Sequence, residues 1–449
     1  MRQQDNGNRI FLKGLVVAGL VIAMLIPGVL IMNLVQERQK RQEEVVKEVC
    51  SKWADEQTLT GPVLMIPYTQ EVSGTNGVKE KVVRRAYILP EELRMNGNII
   101  PKVKKRSLYN VHLYQADIQV SGKFDTVTPE LLGVPAEDIR WNEARLLVNV
   151  SDMKGMDEQM QLEWNGEKRP MESVFPVNDQ FEEGMSAVTA VAPGSAPTFA
   201  MRLNVRGSRS LYLSPTGRTT VTDIASAWKD PAFDGRYLPA TSDITDDKFT
   251  AHWKVSPLVG NFPQVWKNGA QKLSAGAYGV RLIESVDGYA KVMRCVKYAI
   301  LFVALTFTFF FFLEILQKRR IHPIQYALVG IALIVFYCLL LSISEYAGFN
   351  AAYLIASVAT VSLITFYVRS LSRSMGTVAG FSISLTALYA YIFVLILSED
   401  HALLFGSIGL FCIVAVIMHF SRRIEWYGPA KPGAAQDGSE DSGPYFPQV

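Results

Sequence analysis

The sequence predicts an α+β membrane protein with an N-terminal transmembrane helix, a large β-rich, sandwich-like domain outside the cytoplasm, and a C-terminal five-helix transmembrane bundle. Three observations predict it. Apolar residues concentrate at the start and in the last third of the 449-residue chain, while the middle has the composition of a soluble domain. That middle segment alternates apolar and polar residues with a period of two. Lys and Arg fall on alternate loops between the C-terminal apolar runs.

Residues 1–35 hold a cytoplasmic N-terminus and the first span. Its apolar run, 11–35, contains no acidic residue and only Lys13 as a charge. It exceeds the roughly 20 residues needed to cross a bilayer core. Arg2, Arg9 and Lys13 also resemble the basic start of a signal peptide, but the run is longer than a signal core, and no small-residue cleavage pattern follows it. An uncleaved anchor is the better reading.

Residues 36–296 form a stalk and the β-rich domain. From Gln36 to Asp55 the chain is charged and free of Gly and Pro, which suits a helix continuing outward with pairs such as Glu37/Arg41 and Glu43/Lys47. Segments 113–120 and 199–206 alternate as half-buried strands do, and 146–150 and 210–213 are shorter apolar runs. Turn signals stand at Gly61-Pro62, Asn76-Gly77, Asn96-Gly97, Asn165-Gly166, Pro215-Thr216-Gly217 and Asp234-Gly235. Trp228, Trp253 and Trp266 read as core residues.

Residues 297–420 supply five further spans at 298–316, 324–343, 351–368, 376–397 and 402–418, joined by short connections. Lys318, Arg319 and Arg320, then Arg369 and Arg373, then Arg422 and Arg423 occupy alternate loops, whereas the intervening ones carry Glu345, Glu399 and Asp400. The basic loops belong in the cytoplasm, which puts both termini inside and the β-rich domain outside. Arg38, Lys40 and Arg41 pull the other way but are interleaved with Glu37, Glu43 and Glu44. The tail 421–449, rich in Gly, Pro, Ser and acidic residues, is predicted to be disordered.

Chemistry is sparse. The five histidines form no metal-type pair, and no phosphate loop, dinucleotide fingerprint or G-x-S-x-G elbow is present. A net charge of +3 gives no reason to expect a nucleic-acid partner. The four cysteines form no disulfide framework, although the sequence leaves open a bridge between Cys50 and Cys295. The polar positions to weigh are Glu314, His322, Glu345, Glu399, Asp400 and His401. Glu314 has a ready partner in Lys318 at i+4, His322-Pro323 is a good helix start, and the other four fall at outer span ends where water can solvate them. We therefore expect no catalytic site, no cofactor and no metal.

Several segments resemble the inner-membrane CreD family: Phe311-Phe312-Leu313-Glu314, Arg320-Ile321-His322-Pro323-Ile324-Gln325-Tyr326, Ser342-Ile343-Ser344-Glu345 and Ser398-Glu399-Asp400-His401-Ala402-Leu403-Leu404-Phe405-Gly406-Ser407. Gly61-Pro62-Val63-Leu64 and Ser226-Ala227-Trp228-Lys229-Asp230-Pro231 carry the likeness into the middle domain. Tyr346 departs from the family, which more often has a histidine there. The resemblance implies a multi-pass inner-membrane protein of Gram-negative bacteria with a periplasmic domain, linked to cell-envelope integrity and a two-component stress response. It implies no catalytic residue. Expected partners are the lipid bilayer and a periplasmic or peptidoglycan-associated molecule; the alternative is a transporter or channel for a neutral or hydrophobic solute.

Overall fold

The computed structural model describes residues 4–73, 79–156, 160–173, 180–260, 262–282, 288–316, 321–371, 374–398 and 401–422. Two compact units emerge: Met1–Gln39 with Asp287–Val449, and Lys40–Val286. The Asn76-Gly77 turn, the loop cations Lys318, Arg319, Arg320, Arg373 and Arg423, and the tail lie outside the described residues.

The first unit is helical. The opening apolar run is helical throughout: α1 (Gln4–Ala23) and α2 (Leu25–Trp53) join at Met24, where the ladder continues from Met24 N to Leu20 O and from Gly28 N to Met24 O. Pro27, which has no backbone N–H to donate to Ala23, leaves one rung of that ladder unmade. From there α2 runs unbroken through the charged stretch, as the absence of Gly and Pro predicts. Its ion pairs differ from those expected, being Arg41–Glu44 and Glu48–Lys52.

In the C-terminal part, the short amphipathic helix Gly288–Lys297 is bent by 42° from the apolar helix that follows it, so the expected second span has a kinked entrance. Helices Ala299–Leu316, Pro323–Ala347, Phe349–Leu371, Met375–Leu397 and Ala402–Ser421 then follow. Four described helices are long and apolar enough to cross a membrane, and the bent pair raises this to five. The final helix, Ala402–Ser421, is apolar over Leu403–His419. Aromatic packing holds the bundle core: Phe302, Phe336, Tyr337, Tyr353 and Tyr389 are buried, with their rings in edge-to-face or tilted contact.

The second unit contains two eight-stranded sheets. One is built on β1 (Gln57–Ser73), β2 (Lys79–Ile88), β5 (Arg145–Val150), β8 (Met185–Val188), β10 (Ser210–Leu213), β12 (Pro231–Gly235), β15 (Val265–Lys267) and β16 (Tyr278–Leu282). The other runs in the order β13-β14-β11-β3-β4-β9-β6-β7. Its strands are β3 (Glu92–Arg106), β4 (Tyr109–Lys123), β6 (Gln161–Trp164), β7 (Glu167–Pro170), β9 (Thr198–Ser208), β11 (Thr219–Ser226), β13 (Thr241–Ile244) and β14 (Phe249–Val255). Most pairings are antiparallel, with parallel joins at β1–β10 and β3–β11. Side chains from both sheets meet in one core, among them Leu64, Ile66 and Val280 from the first and Met95, Ile118 and Leu203 from the second.

The alternating segments fall where expected. Tyr114, Ala116, Ile118 and Val120 are buried in β4, and Phe199, Met201, Leu203 and Val205 in β9. Trp253 and Trp266 are buried, and Trp228 is partly so. Three turn signals are corrected. Asp234-Gly235 lies at the end of β12, paired with Gly279 and Tyr278 of β16. Asn96-Gly97 lies in the middle of β3, where the fifteen-residue pairing with β4 overrides the local preference of the dipeptide. Gly61-Pro62 lies inside β1 at a register shift between Thr60 and Val63, and Gly61 takes the positive φ that such an irregularity asks of glycine. Asn165-Gly166 does form the tight β6–β7 turn, both residues having positive φ. Cys50 and Cys295 are both free, so the structure contains no bridge between them.

Candidate functional site

Within the helical unit, Glu314 is buried and Glu345 half-buried, and each faces a basic group on the N-terminal helices. Glu314, near the C-terminus of Ala299–Leu316, is 7% exposed. Its Oε1 pairs with Lys13 Nζ of α1 and accepts from the Ile321 amide at 3.2 Å, while Oε2 accepts from Tyr326 OH at 3.1 Å. Among the described residues its cation is therefore distant in sequence, brought in by the packing of α1 against the bundle, while Lys318, the i+4 candidate, lies outside the described residues.

Glu345 ends Pro323–Ala347 and accepts from Tyr289 OH at 2.9 Å, with Arg38 Nε of α2 at 4.0 Å. Its side chain is 10% exposed and hydrogen-bonded, so it is less open to water than its place at a span end suggested. Lys13 and Arg38 are 25 positions apart, or about 37 Å of helix. That length compares with a hydrocarbon core of about 30 Å and a bilayer of roughly 40–45 Å including headgroups. Between the two pairs Gly330 keeps the approach close: a Cβ there would stand 2.9 Å from Met24 Sδ and from Phe307. Two ion pairs and one glycine contact thus fasten the first helices to the bundle.

The remaining candidates divide differently. His322 caps Pro323–Ala347: its Nδ1 accepts from Ile324 N at 3.3 Å, and Gln325 Oε1 accepts from His322 N at 3.0 Å. These two bonds form a capping box at the helix start. His401 sits at the start of the last helix, exposed, with its ring 6.3 Å from that of Phe405. Glu399 and Asp400 lie outside the described residues. Among the described residues no group of three or more His, Cys, Asp or Glu could hold a metal ion.

The β-rich unit carries a site that the sequence did not signal. On the outer face of the second sheet, register aligns His252, Asp223, Asn96, Gln119 and Arg202 across five adjacent strands. The next row aligns Thr250, Ala225, Asn98, Asp117 and Asn204. Together with Thr241, Ser242 and Asp243 of β13, the residues of these rows on β14, β11, β3 and β4 line a cavity of about 590 Å³, with Arg202 and Asn204 of β9 beyond its edge. Two of its carboxylates are held in place: Asp223 Oδ1 lies 2.7 Å from His252 Nδ1, and Asp117 is bridged by Arg202, with Nε at 2.7 Å. Asn96, Asn98 and Gln119 have no hydrogen-bond partner among the described residues. Strand alternation shows that these side chains point outward; only the register of five strands shows that they share one surface.

Ionised carboxylates also tie this unit together. The hydrogen bond from Arg202 holds Asp117 below the ordinary carboxylate range despite some opposing desolvation. Asp234 is lowered by the Gly235 amide at 2.7 Å and Tyr212 OH at 3.1 Å, with Arg281 beside it. The native state keeps both charged where the unfolded chain, with an aspartate value of about 3.9, would take up a proton. The stability they add is complete above about pH 4 and is lost as pH falls through the lower folded values. Thermal melts of the full chain between neutral and acid pH should show this limb, and Asp117→Asn with Asp234→Asn should flatten it. An unchanged limb in that double variant would mean other groups carry the acid sensitivity.

The family model described as "Inner membrane protein CreD" matches residues 9–427. The Escherichia coli (strain K12) protein of that description is 30% identical over 424 residues, covering 92% of this chain and 93% of that protein. Among solved structures, an M1 zinc metallopeptidase from Deinococcus radiodurans matches at 8% identity, over 43% of this chain and 42% of that one, with a TM-score of 0.21. Legionella pneumophila aminopeptidase A matches at 9% identity, over 48% of this chain and 22% of that one, also at 0.21. The chain thus spans less than half of either peptidase, and likeness at that level bears on neither fold nor chemistry.

Proposed function

The chain belongs to the CreD family of inner membrane proteins, and on that premise we propose that it is a non-enzymatic envelope-integrity factor whose β-rich domain lies in the periplasm and binds an envelope partner there. One observation carries the reading: the β-rich unit is continuous at both ends with apolar helices, and its sheet presents a polar cavity lined by amides without partners. Orientation follows from Lys318, Arg319, Arg320, Arg369, Arg373, Arg422 and Arg423, which resist translocation and belong inside. In this reading the bent pair and the last helix both cross the bilayer, giving six spans with both termini cytoplasmic. The two sheets act as a sandwich-like receptor.

Reporter fusions test the placement. Alkaline phosphatase joined after position 250 should be active, and one joined after position 370 should be silent. The reverse pattern would overturn the reading. Photo-crosslinking from positions on the polar face in intact cells should then recover a periplasmic or peptidoglycan-associated molecule.

A transporter for a neutral or hydrophobic solute is the second reading, favoured by a specific feature. An apolar cleft of about 390 Å³, lined by Phe309, Phe381, Tyr391 and Ile413 among others, opens between helices of the bundle. Another of about 350 Å³ includes the hydroxyls of Ser357, Ser362 and Thr386. Flux of a neutral solute across proteoliposomes would support this role, and tight vesicles would dismiss it.

A further inference from the structure

We propose that the outer face of the β13-β14-β11-β3-β4-β9 surface is a glycan-binding site that takes an uncharged, N-acetylated sugar strand. The inference deepens the partner-binding role above and rests on the periplasmic reading of this domain. It begins with what the face offers. Asn96, Asn98 and Gln119 are exposed, lie on neighbouring strands at paired positions, and have neither donors nor acceptors engaged within the described protein. Each planar amide can donate and accept at once, which matches a hydroxyl or an acetamido group. Thr241, Ser242 and Thr250 add hydroxyls at one end of the cavity.

Charge narrows the ligand. Asp117 is ion-paired with Arg202, and Asp223 is hydrogen-bonded to His252, so both are oriented acceptors with spare lone pairs. An anion would meet Asp117, Asp223 and Asp243, with His252 the one basic side chain in the lining. An apolar ligand would find Ala225 as the apolar side chain of these rows. Neutral, hydroxyl-rich chains remain. Size agrees: about 590 Å³ falls within the roughly 300–1,000 Å³ of small-ligand sites. Five strands at their usual spacing make a row about 19 Å long, enough for several sugar rings end to end. The sheet holds the groups rigid, so little ordering entropy opposes binding.

The test uses the full chain in lipid nanodiscs, free of glycoside detergent, with the tetramer of N-acetylglucosamine as probe and calorimetry as readout. Saturable binding is expected, weakened by about tenfold or more in Asn96→Ala with Asn98→Ala, where two amide contacts are lost. The melting temperature should not move, because both side chains are exposed. Gln119→Ala provides a second variant with the same expectation, and Asn110→Ala, off this face, should bind as the parent does. No saturable heat, unchanged affinity in both face variants, or tighter binding of spermine than of the sugar would overturn the proposal. An active phosphatase fusion after position 250 alongside a silent sugar titration would sink the glycan site and leave the periplasmic reading standing.

Discussion

Lys13→Ala should destabilise the full chain by about 3 kcal/mol, the lower end for removing one partner of a buried ion pair, since the lysine side chain is 40% exposed while Glu314 is 8% exposed. The loss would come from Glu314, left as a carboxylate in the bundle with Tyr326 and the Ile321 amide as its remaining partners. Unfolding of the micelle-embedded protein measures it. In Lys13→Met with Glu314→Leu both charges disappear together, no group is stranded, and stability should return to near that of the parent. A double-mutant cycle with Lys13→Ala and Glu314→Ala closes the case. If the two effects add to within about 0.5 kcal/mol, the groups are not coupled and the fastening of α1 by this pair is wrong.

The second large effect belongs to the β-rich unit. Gly279 lies in β16, paired with Tyr212 of β10 on one side and Asp234 of β12 on the other. A Cβ at this position would stand 2.0 Å from the Leu211 carbonyl oxygen and 2.9 Å from Tyr212 Cα. These are backbone atoms, and β10 is itself held by β1, so retreat would unpick the sheet. Gly279→Ala should therefore cost about 3 kcal/mol or more. Gly260→Ala is the control, because its Cβ would meet only ordinary contacts from 3.7 Å outward. That change should stay within about 0.5 kcal/mol. Equal melting temperatures for the two variants would refute the steric account.

Much of the architecture was legible because it rests on local periodicity. The alternation in 113–120 and 199–206 reports the burial of β4 and β9 residue by residue, since period two leaves one face for the core. His322-Pro323 announces its helix because cap and first-turn preferences are local. The misreadings share a cause. Asn96-Gly97 favours a turn in isolation, but fifteen consecutive pairs to β4 outweigh a dipeptide. Glu314 has a partner 301 residues away that no local spacing could announce. The polar face of the second sheet needs the register of several strands, which nothing in a single strand encodes. Site chemistry in this chain is assembled by long-range pairing, and that is why it could not be read in sequence order.

The tether between the first helix and Glu314 also has a consequence for biogenesis. Synthesis at about 5–20 residues per second puts roughly 15–60 s between the emergence of Lys13 and that of its carboxylate. Throughout that interval the leading anchor sits in the lipid with its lysine uncompensated while the whole β-rich domain is made. Only the closing third of the polypeptide supplies both missing acids. A ribosome that stops early would leave an anchored but unlatched precursor, which the cell could recognise by its loose first helix.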